Sequence, residues 1–353
     1  MRGRPPDRPC WTTLADGPTL GALPDGWKGL DAIGFYKKLG CDILQLGGWG
    51  TPFDFASPGF RWGGGIGTEE SGKGSERTRK WRFRGRELVA VTHTSGHPLK
   101  YPVETPEDLG LYREMWEGAS YLEADDRAVC GAVGNLVGDG GIVARMWGPS
   151  TIPRLLEYDM GTENFYSLLE ERPGDMKALF GLMHRKELAA FAALAKGPCD
   201  VAILTENTST FYISPEVYRE HNGPYVRDFV ETMHQNGKVA IIHMCGHIRA
   251  IMGLIRETGL DGVHALTPPP TGDTPYEAAL DALGEDKAII GALDPTIFLG
   301  GPVEKIGPAL DALYTPRLRK APFVLCPFAD GIPVPLERFL AVRDWMEKET
   351  GKL

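Results

Sequence analysis

From about residue 125 to its C-terminus, the chain alternates short apolar runs with segments of helical pattern, and this alternation limits the folds it can adopt. The runs are rich in β-branched residues, and glycine or asparagine turn signals flank several of them. At least six such units indicate parallel strands joined by crossover helices. No Gly-x-Gly-x-x-Gly follows the first predicted strand, which disfavours a doubly wound dinucleotide-binding sheet. We therefore predict an α/β fold of the (β/α)8 TIM-barrel type.

The predicted barrel strands share a length of four to seven residues and an apolar centre. They are Cys41–Gly47, Ile142–Trp147, Asp200–Glu206, Val239–His243, Asp261–Leu266, Lys287–Leu293 and Phe323–Cys326. The longest predicted helix is Met176–Lys196, and Ser214-Pro215 gives a capping signal for another helix that runs to about Gln235.

The N-terminal third has a different character. We expect the first 25 or so residues to be irregular and the glycine- and aromatic-rich stretch Gly47–Gly74 to be a lid-like loop. The stretches Arg77–Arg84 and Glu87–Thr92 alternate and are split by Gly85-Arg86, which predicts a β-hairpin. We predict a single domain over residues 1–353, in which about 1–125 form an N-terminal extension with a hairpin insertion and about 126–353 form the core βα units.

Composition excludes several partners. The net charge is −9, and the one basic run, Lys73–Arg86, is interrupted by Trp81 and Phe83, so we read it as a solvated hairpin and expect no nucleic-acid binding. No apolar stretch approaches eighteen residues and the first residues lack a signal-peptide core, so we expect no membrane association. The scattered cysteines indicate reduced thiols and a cytoplasmic location. They are Cys10, Cys41, Cys130, Cys199, Cys245 and Cys326.

His243 and Cys245 follow one predicted strand and are two residues apart, so in an extended backbone their side chains leave on the same side. An imidazole beside a thiolate is a pair of ligands for zinc. Cys326 ends another strand and is the best candidate for a third ligand. The alternative is that these are small buried side chains with no metal.

The remaining candidates also lie at strand ends, where barrels of this type place their active sites. Glu206 ends one strand and is either a displaceable ligand, an acid that exchanges protons, or a carboxylate bonded to backbone. His247 follows the metal motif, and we favour helix capping or a substrate contact. His264 is expected to be a satisfied core histidine, and Asp294 a turn residue before a helix.

Several segments together resemble the uroporphyrinogen decarboxylase superfamily. They are His243–Gly246, Gly259–Val263, Ile290–Thr296, Asp330–Glu337, Ile213–Tyr218 and Arg4–Arg8. The resemblance implies a distorted (β/α)8 barrel. The decarboxylases of this superfamily carry an Arg-Gln-Ala-Gly-Arg-type segment near the N-terminus, whereas this chain reads Gly47-Gly-Trp-Gly-Thr-Pro52. The His-x-Cys-Gly motif instead resembles the zinc- and corrinoid-dependent methyltransferases, and His243, Cys245 and Cys326 fall on the three zinc positions of that branch.

The resemblance implies a zinc-dependent methyltransferase that moves a methyl group between a small methylated donor and a corrinoid (cobalamin) carried by a partner protein. The stretch Leu266–Asp273 looks most like the enzymes that demethylate methoxylated aromatics, and Leu325-Cys-Pro-Phe328 departs from the Gly-Cys-Gly of the coenzyme M enzymes. A methylcobalamin:thiol methyltransferase, a metal-free decarboxylase that would need Arg145 as a carboxylate clamp, and a non-enzymatic corrinoid- or metal-binding protein stay open as alternatives. A homodimer also stays open.

Overall fold

The computed structural model describes residues 8–55, 59–122, 125–328 and 331–351. Residues 1–7 and Asp330, which contribute to the family resemblance, therefore lie outside the described residues. Eight parallel strands follow one another around a single sheet, each paired with the next strand along the chain from the second to the eighth. They are β1 (Cys10–Trp11), β2 (Ile43–Leu46), β3 (Gly141–Trp147), β4 (Val201–Thr205), β5 (Val239–His243), β6 (Gly262–Leu266), β7 (Ala288–Gly291) and β8 (Phe323–Leu325).

The sheet closes through its first strand. On one side β1 pairs in parallel with β8, with Trp11 opposite Leu325. On the other side the amide of Asp42, just before β2, donates to the carbonyl of Trp11 at 2.9 Å. The side chain of Asp42 also accepts from the amide of Trp11 at 3.2 Å. The prediction of a (β/α)8 barrel is therefore confirmed.

Helices cover the outside of the barrel and bury a large apolar layer against it. Their N-termini follow ordinary capping chemistry, as where the hydroxyl of Ser214 accepts from the amide of Val217 at 3.2 Å. The helices are Gly17–Gly21, Ala32–Leu39, Pro106–Gly118, Arg127–Val137, Thr151–Arg154, Gly161–Glu171, Pro173–Lys196, Pro215–Val217, Gly223–Gln235, Met252–Glu257, Tyr276–Leu283, Pro295–Phe298, Ile306–Leu313 and Leu336–Thr350.

A second, separate apolar cluster fills the inside of the barrel. It is built from alternate residues of the strands, because successive side chains of a strand point to opposite faces. Its members are Leu44, Leu46, Ala144, Val201, Ile203, Val239, Ile241, Ile290 and Cys326, with Leu14, Ile142, Met146 and Val324 packed against them. Apolar packing thus occupies the barrel interior up to the C-terminal ends of the strands.

An antiparallel sheet is inserted between β2 and β3. Its strands are Gly67–Lys73, Glu76–Phe83, Arg86–His93 and Pro98–Lys100. The predicted hairpin is confirmed, but its turn is Arg84-Gly85, where both residues have positive φ, 52° and 75°. The guanidinium groups of Arg84 and Arg86 form ion pairs with the carboxylate of Glu114, at 3.0 and 2.8 Å. These pairs connect the inserted sheet to the helix Pro106–Gly118.

Two expectations for the N-terminal third are wrong. The segment Gly47–Gly74 is not one loop, because it contains the strand Gly67–Lys73 and a second strand, Gly59–Arg61. The first 25 residues are not wholly irregular, because β1 lies within them. Two residues after Pro9 are too short for a periodic pattern, and parallel pairing to β8 rather than local sequence makes them a strand. Within the described ranges, no helix has the length and apolar character needed to cross a bilayer.

Candidate functional site at the C-terminal end of the barrel

Two of the predicted zinc ligands face the barrel interior. His243 comes two residues after Ile241 on β5, and Cys326 comes two residues after Val324 on β8; both strand residues belong to the interior cluster. The imidazole and the thiol therefore extend the inward-facing rows of their strands at the C-terminal end. Cys326 is 3% exposed, and burial raises the pKa of its thiol to about 12.

The side chain of His243 contacts a second histidine. Its Nδ1 lies 2.8 Å from Nδ1 of His264 on the neighbouring strand β6. The two residues are also partners in the register of β5 and β6, so their side chains share the inner face of the sheet. Burial lowers the pKa of His243 to about 4 and that of His264 well below its ordinary value. His264 was expected to be a satisfied core histidine; it is buried, and its side-chain partner is the first candidate metal ligand.

The backbone around His264 is irregular. The register between β6 and β7 shifts between His264 and Leu266, and Ala265 between them has φ 63°, the left-handed region that residues with a Cβ rarely adopt. The carbonyl of His264 accepts from the amide of Met244 at 3.0 Å. A bulge of this kind re-aims the end of a strand and recurs beside functional sites.

Cys245 lies apart from the barrel interior. It is exposed, and its Sγ lies 4.0 Å from Oδ1 of Asn207, just past the end of β4. Asn207 has φ 46° and donates from Nδ2 to Oε2 of Glu157 at 3.4 Å. Burial raises the pKa of Glu157. A row of polar side chains therefore runs from Glu157 through Asn207 to the thiol of Cys245.

The close surroundings of Gly246 explain why the His-x-Cys-Gly motif needs a glycine at this position. A Cβ added there would lie 2.4 Å from Cβ of Ser209 and 2.7 Å from the carbonyl oxygen of Thr208. The loops after β4 and β5 are also tied together by the amide of Thr210, which donates to the carbonyl of His247 at 2.7 Å. The amide of His247 donates to Oγ of Ser209 at 3.2 Å.

Glu206 is fully buried where β4 ends. Its Oε2 accepts from Nδ2 of Asn222 at 2.7 Å. The side chain of Ser150 also interacts with the carboxyl group and, like Asn222, acts to lower its pKa. Burial raises the pKa of Glu206 to about 8. Asn222 ends the π-helical turn Tyr218–Asn222, and Glu157 lies in a second such turn, Leu155–Asp159. Isolated π-helical turns recur at functional sites because they re-aim side chains.

His247 lies beside an exposed aromatic ring. The ring centroids of His247 and Phe211 are 4.0 Å apart, and Phe211 is 77% exposed. Helix capping by the imidazole, one of the two roles considered for His247, does not account for this contact. The exposed ring of Phe211, packed beside the half-buried His247, suits the other role, contact with a substrate.

The three predicted ligands are not gathered into one metal-holding group. Over residues 8–55, 59–122, 125–328 and 331–351, no three His, Cys, Asp or Glu side chains are arranged to hold a metal ion. The donor chemistry nevertheless suits zinc. The contact with His264 uses Nδ1 of His243 and leaves Nε2 as the nitrogen that would bind a metal. The buried thiol of Cys326 would ionise only beside a compensating cation such as zinc.

Arg145, the proposed carboxylate clamp of a decarboxylase, is not at this end of the barrel interior. It alternates with Ala144 and Met146, which pack inside the barrel, so its side chain leaves on the outer face. Its Nε lies 2.5 Å from Oδ2 of Asp126, and the two side chains are 5% and 9% exposed. This guanidinium neutralises a buried carboxylate of the protein itself.

An eight-stranded parallel barrel with imidazole, thiol and carboxyl groups at the C-terminal ends of its strands defines an α/β-barrel protein with an enzyme-like site. The family profile described as "Uroporphyrinogen decarboxylase (URO-D)" matches residues 132–334, more than half of the chain. The chain belongs to the uroporphyrinogen decarboxylase family.

Two individual proteins are similar to this chain. A "Methylcobamide:CoM methyltransferase MtbA" from Methanosarcina acetivorans is 24% identical over 160 residues, which cover 45% of this chain and 44% of that protein. The alignment thus spans less than half the length of that relative. A solved structure described as "methyltransferase from Methanosarcina mazei" superposes with a TM-score of 0.60 at 15% identity, over 98% of this chain and 96% of that one. The second likeness establishes the shared fold.

Sequence reasoning did not single out Asn207, Asn222 or Glu157, and it left His264 as a core residue. Asn207 follows Glu206 directly and so lies at a strand end, which is a signal that the sequence does contain. Asn222 and Glu157 lie in helical segments whose π-helical turns cannot be read from a 3.6-residue pattern.

Proposed function

We propose that this protein is a zinc-dependent methyltransferase that transfers a methyl group between a small methylated donor and a corrinoid carried by a partner protein. The donor class we propose is a methoxylated aromatic, with O-demethylation as the reaction. Similarity to a methylcobamide:CoM methyltransferase supports the general class. The motif containing His243 and Cys245, with Cys326, supports the choice of zinc.

One observation carries the proposal. The imidazole of His243 and the thiol of Cys326 extend inward-facing rows at the same end of one barrel, although 82 positions separate them along the chain. Cys245 follows His243 by two residues and would complete a ligand set of one nitrogen and two sulfurs. Catalytic zinc sites with three protein ligands keep a fourth position open for substrate.

When bound, zinc would supply a Lewis acid at the heteroatom that carries the methyl group. The chain's own residues would handle the proton and the orientation of the donor. Glu206 would supply or accept a proton at its carboxyl group, which Asn222 holds in place through Oε2. The exposed ring of Phe211, together with the half-buried ring of His247, would bind a flat donor or the corrin ring.

The test is a Cys326→Ser variant assayed for methyl transfer to cob(I)alamin and for zinc content. We expect both to fall sharply, because a hydroxyl is a poor zinc ligand compared with a thiolate. Cys41→Ser is the matched control, since Cys41 is also buried but lies outside the interior cluster. Retention of both zinc and methyl transfer in Cys326→Ser would remove Cys326 from the site.

A second candidate is methyl transfer from methylcobalamin to a small thiol. The likeness to a methylcobamide:CoM methyltransferase favours it. The two candidates separate in paired assays, one with cob(I)alamin and methoxylated aromatics and one with methylcobalamin and a thiol such as coenzyme M. The assay that turns over identifies the donor and the acceptor.

A further inference from the structure

The contact between His243 and His264 restricts where the protons of the two rings lie. A hydrogen bond between Nδ1 of one imidazole and Nδ1 of the other, 2.8 Å apart, contains one proton. One ring must donate an Nδ1–H and the other must present a lone pair. When both rings are neutral, Nε2 of the donating ring carries no proton, and Nε2 of the accepting ring carries one.

Only one of the two arrangements leaves His243 able to bind a metal at Nε2. If His243 donates from Nδ1, its Nε2 carries a lone pair. If His264 donates instead, the proton of a neutral His243 sits on Nε2 and blocks that nitrogen. The partner of Nδ1 therefore decides whether His243 is a ligand, as the second partner of a metal-binding histidine generally does.

We infer that His264 is the positioning residue of the metal centre: its Nδ1 accepts the Nδ1 proton of His243, holding that imidazole with Nε2 unprotonated and available to bind zinc. This inference rests on the proposed function, and it adds a residue that the His-x-Cys motif does not contain. His264 does not touch the metal in this arrangement. It acts through His243.

The backbone supports this role independently of the side-chain contact. His264 is followed by Ala265 in the left-handed region, φ 63°, within a register shift of β6 against β7. Such a conformation is destabilising for a residue with a Cβ and persists where surrounding structure fixes it. The amide of Met244, next to His243, donates to the carbonyl of His264 at 3.0 Å. His264 is therefore held by two contacts: its side chain contacts His243, and its carbonyl accepts from Met244.

The burial of His264 makes the geometry restrictive. His264 is 1% exposed and lies in register between His243 on β5 and Ile290 on β7. Ile290 belongs to the apolar interior cluster and offers no hydrogen-bonding group. Of the two residues in register with His264, only His243 therefore has a polar side chain.

The test compares zinc affinity in wild type, His264→Asn and His264→Leu, measured by competition with a zinc chelator. Asparagine keeps an acceptor atom near the position of Nδ1, whereas leucine has similar bulk and no acceptor. We expect His264→Leu to bind zinc roughly 10- to 100-fold more weakly and His264→Asn to stay within a few-fold of wild type. Equal affinity in all three would overturn the inference and leave the proposed function standing.

Two further measurements keep the outcomes distinct. His184→Leu removes another buried, hydrogen-bonded histidine away from this site and should leave zinc affinity unchanged. In the metal-free wild type, ¹⁵N NMR of histidine-labelled protein, with His243 assigned from His243→Gln, should show Nε2 unprotonated. A protonated Nε2 would overturn the inference without any metal present. Absence of zinc binding in the wild type would instead count against the proposed function itself.

Discussion

Asn222 donates a hydrogen bond to Glu206 at 2.7 Å, and both side chains are fully buried behind the end of β4. The side chain of Ser150 also interacts with this carboxyl group. A fully buried carboxyl group is destabilising in its charged form, and such groups recur where they have a functional role.

The Glu206→Gln variant should separate proton transfer from stability. Glutamine keeps the shape of the side chain and can still accept from Asn222, but it cannot exchange a proton. We expect methyl transfer to fall by roughly 10²- to 10⁴-fold. The unfolding free energy at pH 7 should rise rather than fall, since burial raises the pKa of Glu206 to about 8 and the neutral amide removes the cost of burying an ionisable group. Rapid-mixing kinetics and urea unfolding measure the two quantities, and an unchanged rate would remove Glu206 from the chemistry.

Phe211 should matter for binding rather than for folding. Its ring is 77% exposed, so Phe211→Ala should change the unfolding free energy by no more than about 0.5 kcal/mol. We expect KM for the flat donor or the corrinoid protein to rise several-fold with a smaller effect on kcat. Leu99→Ala, which truncates another exposed apolar side chain on the inserted sheet, is the control. The same KM in wild type and Phe211→Ala would exclude a platform role for this ring.

The buried pair of Arg145 and Asp126 should be structural. Asp126→Asn leaves a guanidinium that is 5% exposed without its carboxylate, and we expect a loss of about 3 kcal/mol in unfolding free energy. Asp125→Asn is the matched control, because the Asp125 side chain is 75% exposed and 3.8 Å from Arg127. Chemical denaturation checks both. If Asp126→Asn were as stable as the control, Arg145 would be free to serve another role.

His184 should contribute stability that is lost as pH rises above about 6.5, the ordinary pKa of histidine. Nε2 of His184 lies 2.7 Å from Asp228 and its Nδ1 lies 3.3 Å from Glu187. Burial alone would lower the pKa of His184, but these two hydrogen bonds outweigh it and raise the pKa. A pKa raised in the folded state contributes stability below the unfolded pKa and loses it as pH rises through the folded pKa.

Asp228→Asn should flatten this decline, since it removes one of the two carboxylates that hold the proton on His184. Urea unfolding between pH 6 and pH 9 measures it. Glu220→Gln is the control: Glu220 lies 3.7 Å from His221, whose pKa burial lowers, and its side chain is 62% exposed. An identical pH slope in wild type and Asp228→Asn would show that His184 does not hold the extra proton.

The strands from β2 to β8 could be predicted because each is an apolar run that local sequence alone identifies. The first strand could not, since Cys10 and Trp11 become a strand only by pairing with β8. The helix predicted from Ser214 to Gln235 is interrupted by the turn Tyr218–Asn222, which brings Asn222 to Glu206. A 3.6-residue pattern does not show such an interruption.

The candidate site was predictable in its residue types and less so in its contacts. His243 and Cys326 lie at one end of the barrel interior because strand alternation and barrel topology place them there. The contact of His243 with His264 depends on the register of two strands, which sequence spacing does not fix. The position of Cys245 beside Asn207 depends on a residue with positive φ, and a non-glycine residue in that region cannot be expected from its type alone.

The central claim is that His243 belongs to a zinc site, and the most direct test is elemental analysis of the purified protein beside a His243→Ala variant. His234→Ala is the control, because His234 is exposed and lies in the last turn of the helix Gly223–Gln235, before the start of β5. We predict about one zinc per chain in wild type and control, and its loss in His243→Ala. No zinc in the wild type after growth with added zinc, or equal zinc in all three proteins, would contradict the account.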